Sequence, residues 1–346
     1  MSLLDDFRGQ ARACTGLGSP FMGILLEGLA DNWPEGSHID RICRGFDGDT
    51  GPNGHSLPLR VAGGLHALVL TGQDDALAAQ YPPNEVVAAT LIPQAIAAMD
   101  RHRDFFTEWM KSPPQTNEVR RSAALIAGAH WVAARHPLPF VTSELGASGG
   151  LNTNWDRYAL QAGDTRLGPA NPVLTLTPDW DGPVPTARDI RVDRKAAVDL
   201  RPVDLTDPAQ ALRMKAYLWA DQPHRVELTT AAMAAIDTKV EAGDAADWLE
   251  TQLASTFPGH VHLIYHTIAW QYFPADVSAR ATALIEAAGA RATDDAPLAW
   301  LSMEADATKG SARLGLRLWP GDTDTELARV DFHGHWIKWL ARPEGE

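Results

Sequence analysis

The sequence predicts an α/β protein: a doubly wound, mostly parallel seven-stranded sheet over residues 137–346, preceded by an all-helical domain over residues 1–136. Three observations carry that expectation. Before residue 137, apolar residues recur at helical spacing and nowhere alternate as in a strand. From 137 to 303, short buried-type apolar runs alternate with helical segments, the signature of parallel strands joined by right-handed crossovers. Near the C-terminus, Pro320-Gly321-Asp322 separates two apolar runs with no helix between them, which predicts one reversed strand at the sheet edge.

Residues 3–33 read as two helices, because Leu3, Leu4 and Phe7 share a face and Ser19-Pro20 supplies a cap and a first-turn proline before Phe21–Trp33. The Gly, Pro, Asp and Asn content of 34–56 predicts a loop. Leu57–Thr71, Asn84–Met110 and Thr116–Arg135 are further helical segments, the last two parted by Ser112-Pro113-Pro114. Leu138, Phe140 and Val141 begin the first strand, and Asn152–Asp156 a helical pattern after it. Val173–Leu176 with Asp179–Gly182 suggests a hairpin-like insertion, and Lys195–Leu200 a short strand. Asp207-Pro208 opens a long helix to about Ile236, interrupted near Asp221–Pro223, and Gly243-Asp244-Ala245 opens another. His260–Ile268 and Pro297–Met303 are strands around the helix Ala275–Ala288. Ala312–Trp319 and Leu327–Leu340 form the closing antiparallel pair.

Composition narrows the function. A net charge of −14 lacks the concentrated basic face that nucleic acid demands, and Arg120-Arg121 and Arg191–Lys195 read as solvated or locally paired. No apolar run reaches the roughly 20 residues of a membrane span, and the acidic start Met-Ser-Leu-Leu-Asp-Asp is unlike a signal peptide. Cys14 and Cys43 are too few for a disulfide framework. The expectation is a cytoplasmic protein with a small-molecule partner, neither nucleic acid nor membrane, its oligomeric state open.

The chemistry concentrates at predicted strand ends, where open α/β sheets bind ligands. Residues 137–156 place Glu144 and a turn containing Gly146, Ser148, Gly149 and Gly150 between a strand and a helix start, a recipe for a nucleotide-like ligand. Asp199 and Asp244 end the next two strands, and His266 the fourth. Each has a plainer reading: a turn for the glycines, caps for Asp199 and Asp244. The polar run Gln115, Thr116, Asn117 and Glu118, with Arg121, is either a helix start or a reach toward a pocket mouth. His260, His262 and His266 share a strand face, but about 20 Å separates the outer two at ideal strand rise, so no metal site is expected. Gly146-Ala147-Ser148-Gly149-Gly150 also spells the nucleophile elbow of serine hydrolases, although that fold needs strands before it.

Glu144, Gly146, Ser148 and Gly150 resemble the first motif of class I S-adenosylmethionine-dependent methyltransferases, with serine in place of the middle glycine. That resemblance covers about residues 137–340 and implies a methyltransferase-like sheet. It also implies Asp199 on the ribose hydroxyls, Asp244-Ala245 at the adenine and His266 facing the transferred methyl. The whole chain also resembles a bacterial family of uncharacterised proteins defined by a domain of unknown function. The residues that carry this are Gln115–Glu118 with Arg121, Glu144–Asn152, Gly243–Trp248, His266-Thr267, Trp270-Gln271-Tyr272 and His333-Gly334. The expectation is methyl transfer from S-adenosylmethionine to an unknown small acceptor held between cap and sheet. His266, Glu118 and His335 are the candidate catalytic residues, and Gln115, Asn117, Arg121 and Trp270 would meet the substrate. The alternatives are a non-catalytic ligand-binding protein of the same fold and a serine hydrolase using Ser148.

Overall fold

The computed structural model describes residues 2–342; residues 1 and 343–346, the outer ends of the two expected domains, lie outside the described residues. Along the chain run α1 (Leu3–Gly16), α2 (Pro20–Asp31), α3 (His38–Arg44), α4 (Leu57–Leu70), α5 (Asp75–Ala78), α6 (Ala88–Arg101), α7 (Arg103–Trp109) and α8 (Ser122–Arg135). Then come β1 (Phe140–Leu145), β2 (Ala159–Ala162), β3 (Thr165–Leu167), β4 (Thr175–Leu176), β5 (Asp179–Asp181) and β6 (Val192–Asp199). The helices α9 (Pro208–Ala216) and α10 (Pro223–Ala234) precede β7 (Glu241–Ala242), α11 (Ala245–Gln252), β8 (Val261–Thr267) and α12 (Ala275–Gly289). The strands β9 (Leu298–Ala305), β10 (Ala312–Trp319), β11 (Thr323–Val330) and β12 (Trp336–Trp339) close the chain.

The chain divides into two compact units, 1–116 with 205–230 and 117–204 with 231–346, rather than at 136/137. Residues 205–230 join the helical unit because polar contacts tie them there. Asp221 accepts from Ser19 Oγ at 2.6 Å and from Phe21 N at 3.1 Å, completing the start of α2. Arg213 donates to the Trp109 carbonyl at 3.0 Å, and Tyr217 packs where a Gly63 side chain would stand. Ser37, whose hydroxyl accepts from Asp40 N, caps α3 inside the stretch expected to be loop.

The other unit is built on one mixed sheet of nine strands in the order β5-β12-β11-β10-β9-β8-β1-β6-β7. The run β9-β8-β1-β6-β7 is parallel, as expected, but β10, β11 and β12 continue as an antiparallel meander and β5 adds parallel to β12. The expected seven strands with one reversed edge therefore become nine with β10, β12 and β5 reversed. The cause is local. The Leu327–Leu340 run breaks at Asp331–His335, where Asp331 Oδ1 accepts from His333 N and His335 N and folds the chain back. The expected hairpin at 173–182 is absent, since β4 pairs with β2 in a separate three-stranded sheet while β5 pairs with β12.

α8 is buried from Ser122 to Ala133 and lies on this sheet, its Gly128 set directly against Leu301 of β9. Among the described residues, no helix is long and apolar enough to cross a membrane. Leu301 is fully buried, so Leu301→Ala is expected to cost about 2–5 kcal/mol in urea unfolding through lost burial and the cavity left behind. A loss under about 1 kcal/mol would show that α8 does not rest on β9.

Candidate functional site

β1 lies at the topological switch of the sheet, because the chain winds from β1 to β6 and β7 on one side and returns through β8 and β9 on the other. A crevice beyond the carboxyl ends at such a point is the usual ligand position in an open α/β sheet. The residues that follow β1 form a tight, strained turn. Gly146, Ser148 and Gly150 have φ of 67°, 54° and 76°, in the left-handed region that a serine seldom adopts. Backbone bonds clamp the turn: Ala147 N to the Val198 carbonyl at 3.1 Å, Gly150 N to the Ala147 carbonyl at 2.8 Å and Val203 N to the Ser148 carbonyl at 3.1 Å.

Asp199, at the end of β6, is the acid that holds this turn. Its Oδ2 accepts from Ser148 N and its Oδ1 from Arg201 N, each at 2.8 Å. A carboxylate has about four acceptor positions, so Asp199, which is half-buried, keeps lone pairs beyond these two bonds. Asp244, after β7, caps α11 through Ala246 N and Asp247 N, and Ala245 is the buried first residue of that helix.

Glu144 is placed differently from these surface acids. It is 2% exposed within β1, and Tyr265 Oη of β8 lies 3.2 Å from its Oε2. Burial pushes its carboxyl up to about 8; the bond from Tyr265 opposes the shift and the Asp199 charge adds to it. Glu144 thus sits beneath the turn, and the glycines and Asp199 form its surface.

Asn117 accepts from Leu151 N at 2.7 Å, and Ser122 Oγ donates to Asn152 Oδ1 at 2.6 Å, so the segment after the turn is fixed from the start of α8. Arg121 donates to the carbonyls of Thr267 and Phe332, stitching the end of β8 to the turn before β12. Glu118 is buried and accepts from Arg120 N and Nε at 3.2 and 3.1 Å. Gln115 belongs to the helical unit.

His266, at the end of β8, is 2% exposed. Its Nε2 lies 3.0 Å from Trp300 Nε1, and its Nδ1 lies 2.7 Å from Glu304 Oε1. An indole N–H only donates, so Nε2 must accept and Nδ1 carries the hydrogen given to Glu304. Both ring nitrogens are committed, and the ring stacks on Trp270 at 4.7 Å. His266 in this arrangement has no lone pair with which to take a substrate proton. Glu304, which sequence reasoning missed, organises the cluster by also accepting from Ala269 N and Trp270 N at 2.9 and 3.1 Å. Burial raises its carboxyl, yet the hydrogen bonds from His266, Ala269 N and Trp270 N outweigh it and hold the group below its ordinary value. Its only sequence signal was position, two residues past Ser302, which pairs with His266.

His335 is exposed at the start of β12, its Nδ1 3.6 Å from Asp179 Oδ2. Four strand spacings separate β12 from β8, about 19 Å at the usual 4.8 Å each. His335 and His266 therefore do not share one site. Ser148 Oγ is buried with no hydrogen-bond partner among the described residues, so no base is in place to activate it.

Ala269 Cβ lies 2.5 Å from where a side chain on Gly146 would begin. Gly146→Ala combines that clash with an unfavourable φ and is expected to lower stability by roughly 1–3 kcal/mol in urea unfolding. An unchanged midpoint would mean that the turn relaxes freely.

No curated protein and no solved structure matches the chain. Residues 4–339 match the family described as an uncharacterized protein conserved in bacteria, domain of unknown function 2332, and the chain belongs to that family.

Proposed function

We propose that the protein binds S-adenosylmethionine at the turn after β1 and transfers its methyl group to a small-molecule acceptor. The observation that carries the reading is the lock between Asp199 and Ser148 N, which joins an acid and a glycine-rich turn from adjacent strand ends at the switch point.

The residues suit such a cofactor. Asp199 has acceptor positions left for ribose hydroxyls, while Asp244 and Ala245 lie at the next strand end for the adenine. Residues 146–150 present backbone with little side chain, which allows close approach of a ligand. When bound, S-adenosylmethionine supplies an electrophilic methyl on a sulfonium, and the protein needs to align the acceptor and keep out water. Because His266 is committed to Trp300 and Glu304, its part is to position the 268–273 loop rather than to remove a proton. Acceptors that need no proton removed are therefore favoured. The same commitment of His266 favours a second reading, a protein that binds the cofactor without turnover.

Calorimetric titration with S-adenosylmethionine and S-adenosylhomocysteine tests the proposal, with micromolar binding expected. Asp199→Ala should weaken it by about 1.5–3 kcal/mol, the range for a hydrogen bond to a charged group. Absence of binding by folded protein would refute the cofactor assignment, and binding without methyl transfer across an acceptor panel would favour the second reading.

A further inference from the structure

Under the turn, one hydroxyl is asked to serve two acceptors. Tyr265 Oη stands 3.2 Å from Glu144 Oε2 and 3.2 Å from the Asn152 carbonyl, and the tyrosine has a single hydrogen to give. All three groups are buried. If Glu144 were ionised, either its charge or the Asn152 carbonyl would lose that hydrogen, and both alternatives are costly away from water. A hydrogen on Glu144 satisfies every group: the acid donates to Tyr265, and Tyr265 donates onward to Asn152.

We propose that Glu144 is a proton-bearing positioning residue, a neutral acid whose relay through Tyr265 to the Asn152 carbonyl fixes the segment after the glycine turn to β1 and β8. The inference concerns the turn itself and stands whether or not the turn takes S-adenosylmethionine.

The surroundings agree. The groups acting on Glu144 are Tyr265 from β8 and the carboxylate of Asp199 from β6. Asp156 acts on Tyr265 and is itself paired with Lys195 at 2.8 Å. A second negative charge beneath the turn would oppose Asp199, which holds Ser148 N. The relay also meets the other ties on this segment, since Asn152 Oδ1 accepts from Ser122 and the Leu151 carbonyl accepts from Tyr158 Oη at 2.7 Å. Loss of one proton therefore opens the link between the sheet and the segment carrying Leu151 and Asn152.

The sign of the pH dependence follows. The folded-state value of Glu144 is raised to about 8 from an ordinary 4.5, so its contribution to stability is complete below the ordinary value, falls as pH rises through the window between the two, and is gone once pH has passed the folded value.

The test is urea unfolding of the wild-type protein and Glu144→Gln at a series of pH values. Glutamine keeps a donor for Tyr265 at every pH. The ratio of the wild-type unfolding constant to that of the variant is expected to rise about tenfold per pH unit across that window and to level above it. A ratio that stays constant with pH would overturn the proposal, because a residue that merely fills space gives a fixed offset. Should the variant fail to fold, infrared spectroscopy of wild-type protein labelled with carbon-13 glutamate decides the matter. A label-sensitive carbonyl band of a protonated carboxyl is expected at neutral pH and should vanish above about pH 9, and its absence at neutral pH would refute a neutral Glu144.

Discussion

The structure of the sheet unit depends on a chain reversal at the end of β1 that ordinary residues resist. Three positions, Gly146, Ser148 and Gly150, adopt positive φ within five residues. Such backbone persists only where its surroundings over-determine it. Here they do, through the Asp199 carboxylate on Ser148 N, the Val198 and Ser148 carbonyls, and Ala269 packed against the missing side chain of Gly146. The turn, the end of β6 and the loop after β8 consequently form one connected body. That places a rigid backbone surface, with few side chains and one partly free carboxylate, at the switch point of the sheet.

The polar residues around this turn divide by burial into two kinds. Asp199 and Asp244 satisfy backbone N–H groups while remaining partly open to solvent, and such acids can still receive donors from a ligand. Glu144, Tyr265, His266 and Glu118 are buried and spend their hydrogen-bonding capacity on the protein. Glu304 shows the consequence most clearly. One oxygen gathers His266 and two backbone N–H groups, so a charged side chain fixes the geometry of the loop after β8 from within. Position at a strand end therefore marks candidates for ligand contact, and burial decides which of them can make it.

Much of this architecture was legible in the sequence because periodicity reports which face an element buries. The strands β1, β6, β8, β9 and β10 and the helices α1, α2, α4, α11 and α12 fall where apolar spacing and capping residues place them. The failures share a cause, which is that pairing partners are not local. Leu327–Leu340 reads as one apolar run, yet Asp331 folds it into two strands. Thr175-Leu176 and Asp179–Asp181 look like a hairpin but join different sheets. Residues 205–230 belong to the helical unit through Asp221 and Arg213, contacts that no window of sequence contains. Within the site, the glycine turn and the strand-end acids were visible. The engagement of His266 by Trp300 and Glu304 was not, since it rests on strand register between β8 and β9.

Hydrogen–deuterium exchange of the wild-type protein with and without S-adenosylmethionine tests the proposed cofactor site most directly, because it reports where binding occurs as well as whether it does. Protection is expected in peptides covering the turn at 146–150, the end of β6 with Asp199 and the start of α11 at Asp244, with α1 through α5 unchanged. Bound cofactor that left the turn unprotected, or protection confined to the helical unit, would contradict the placement of the site at the end of β1.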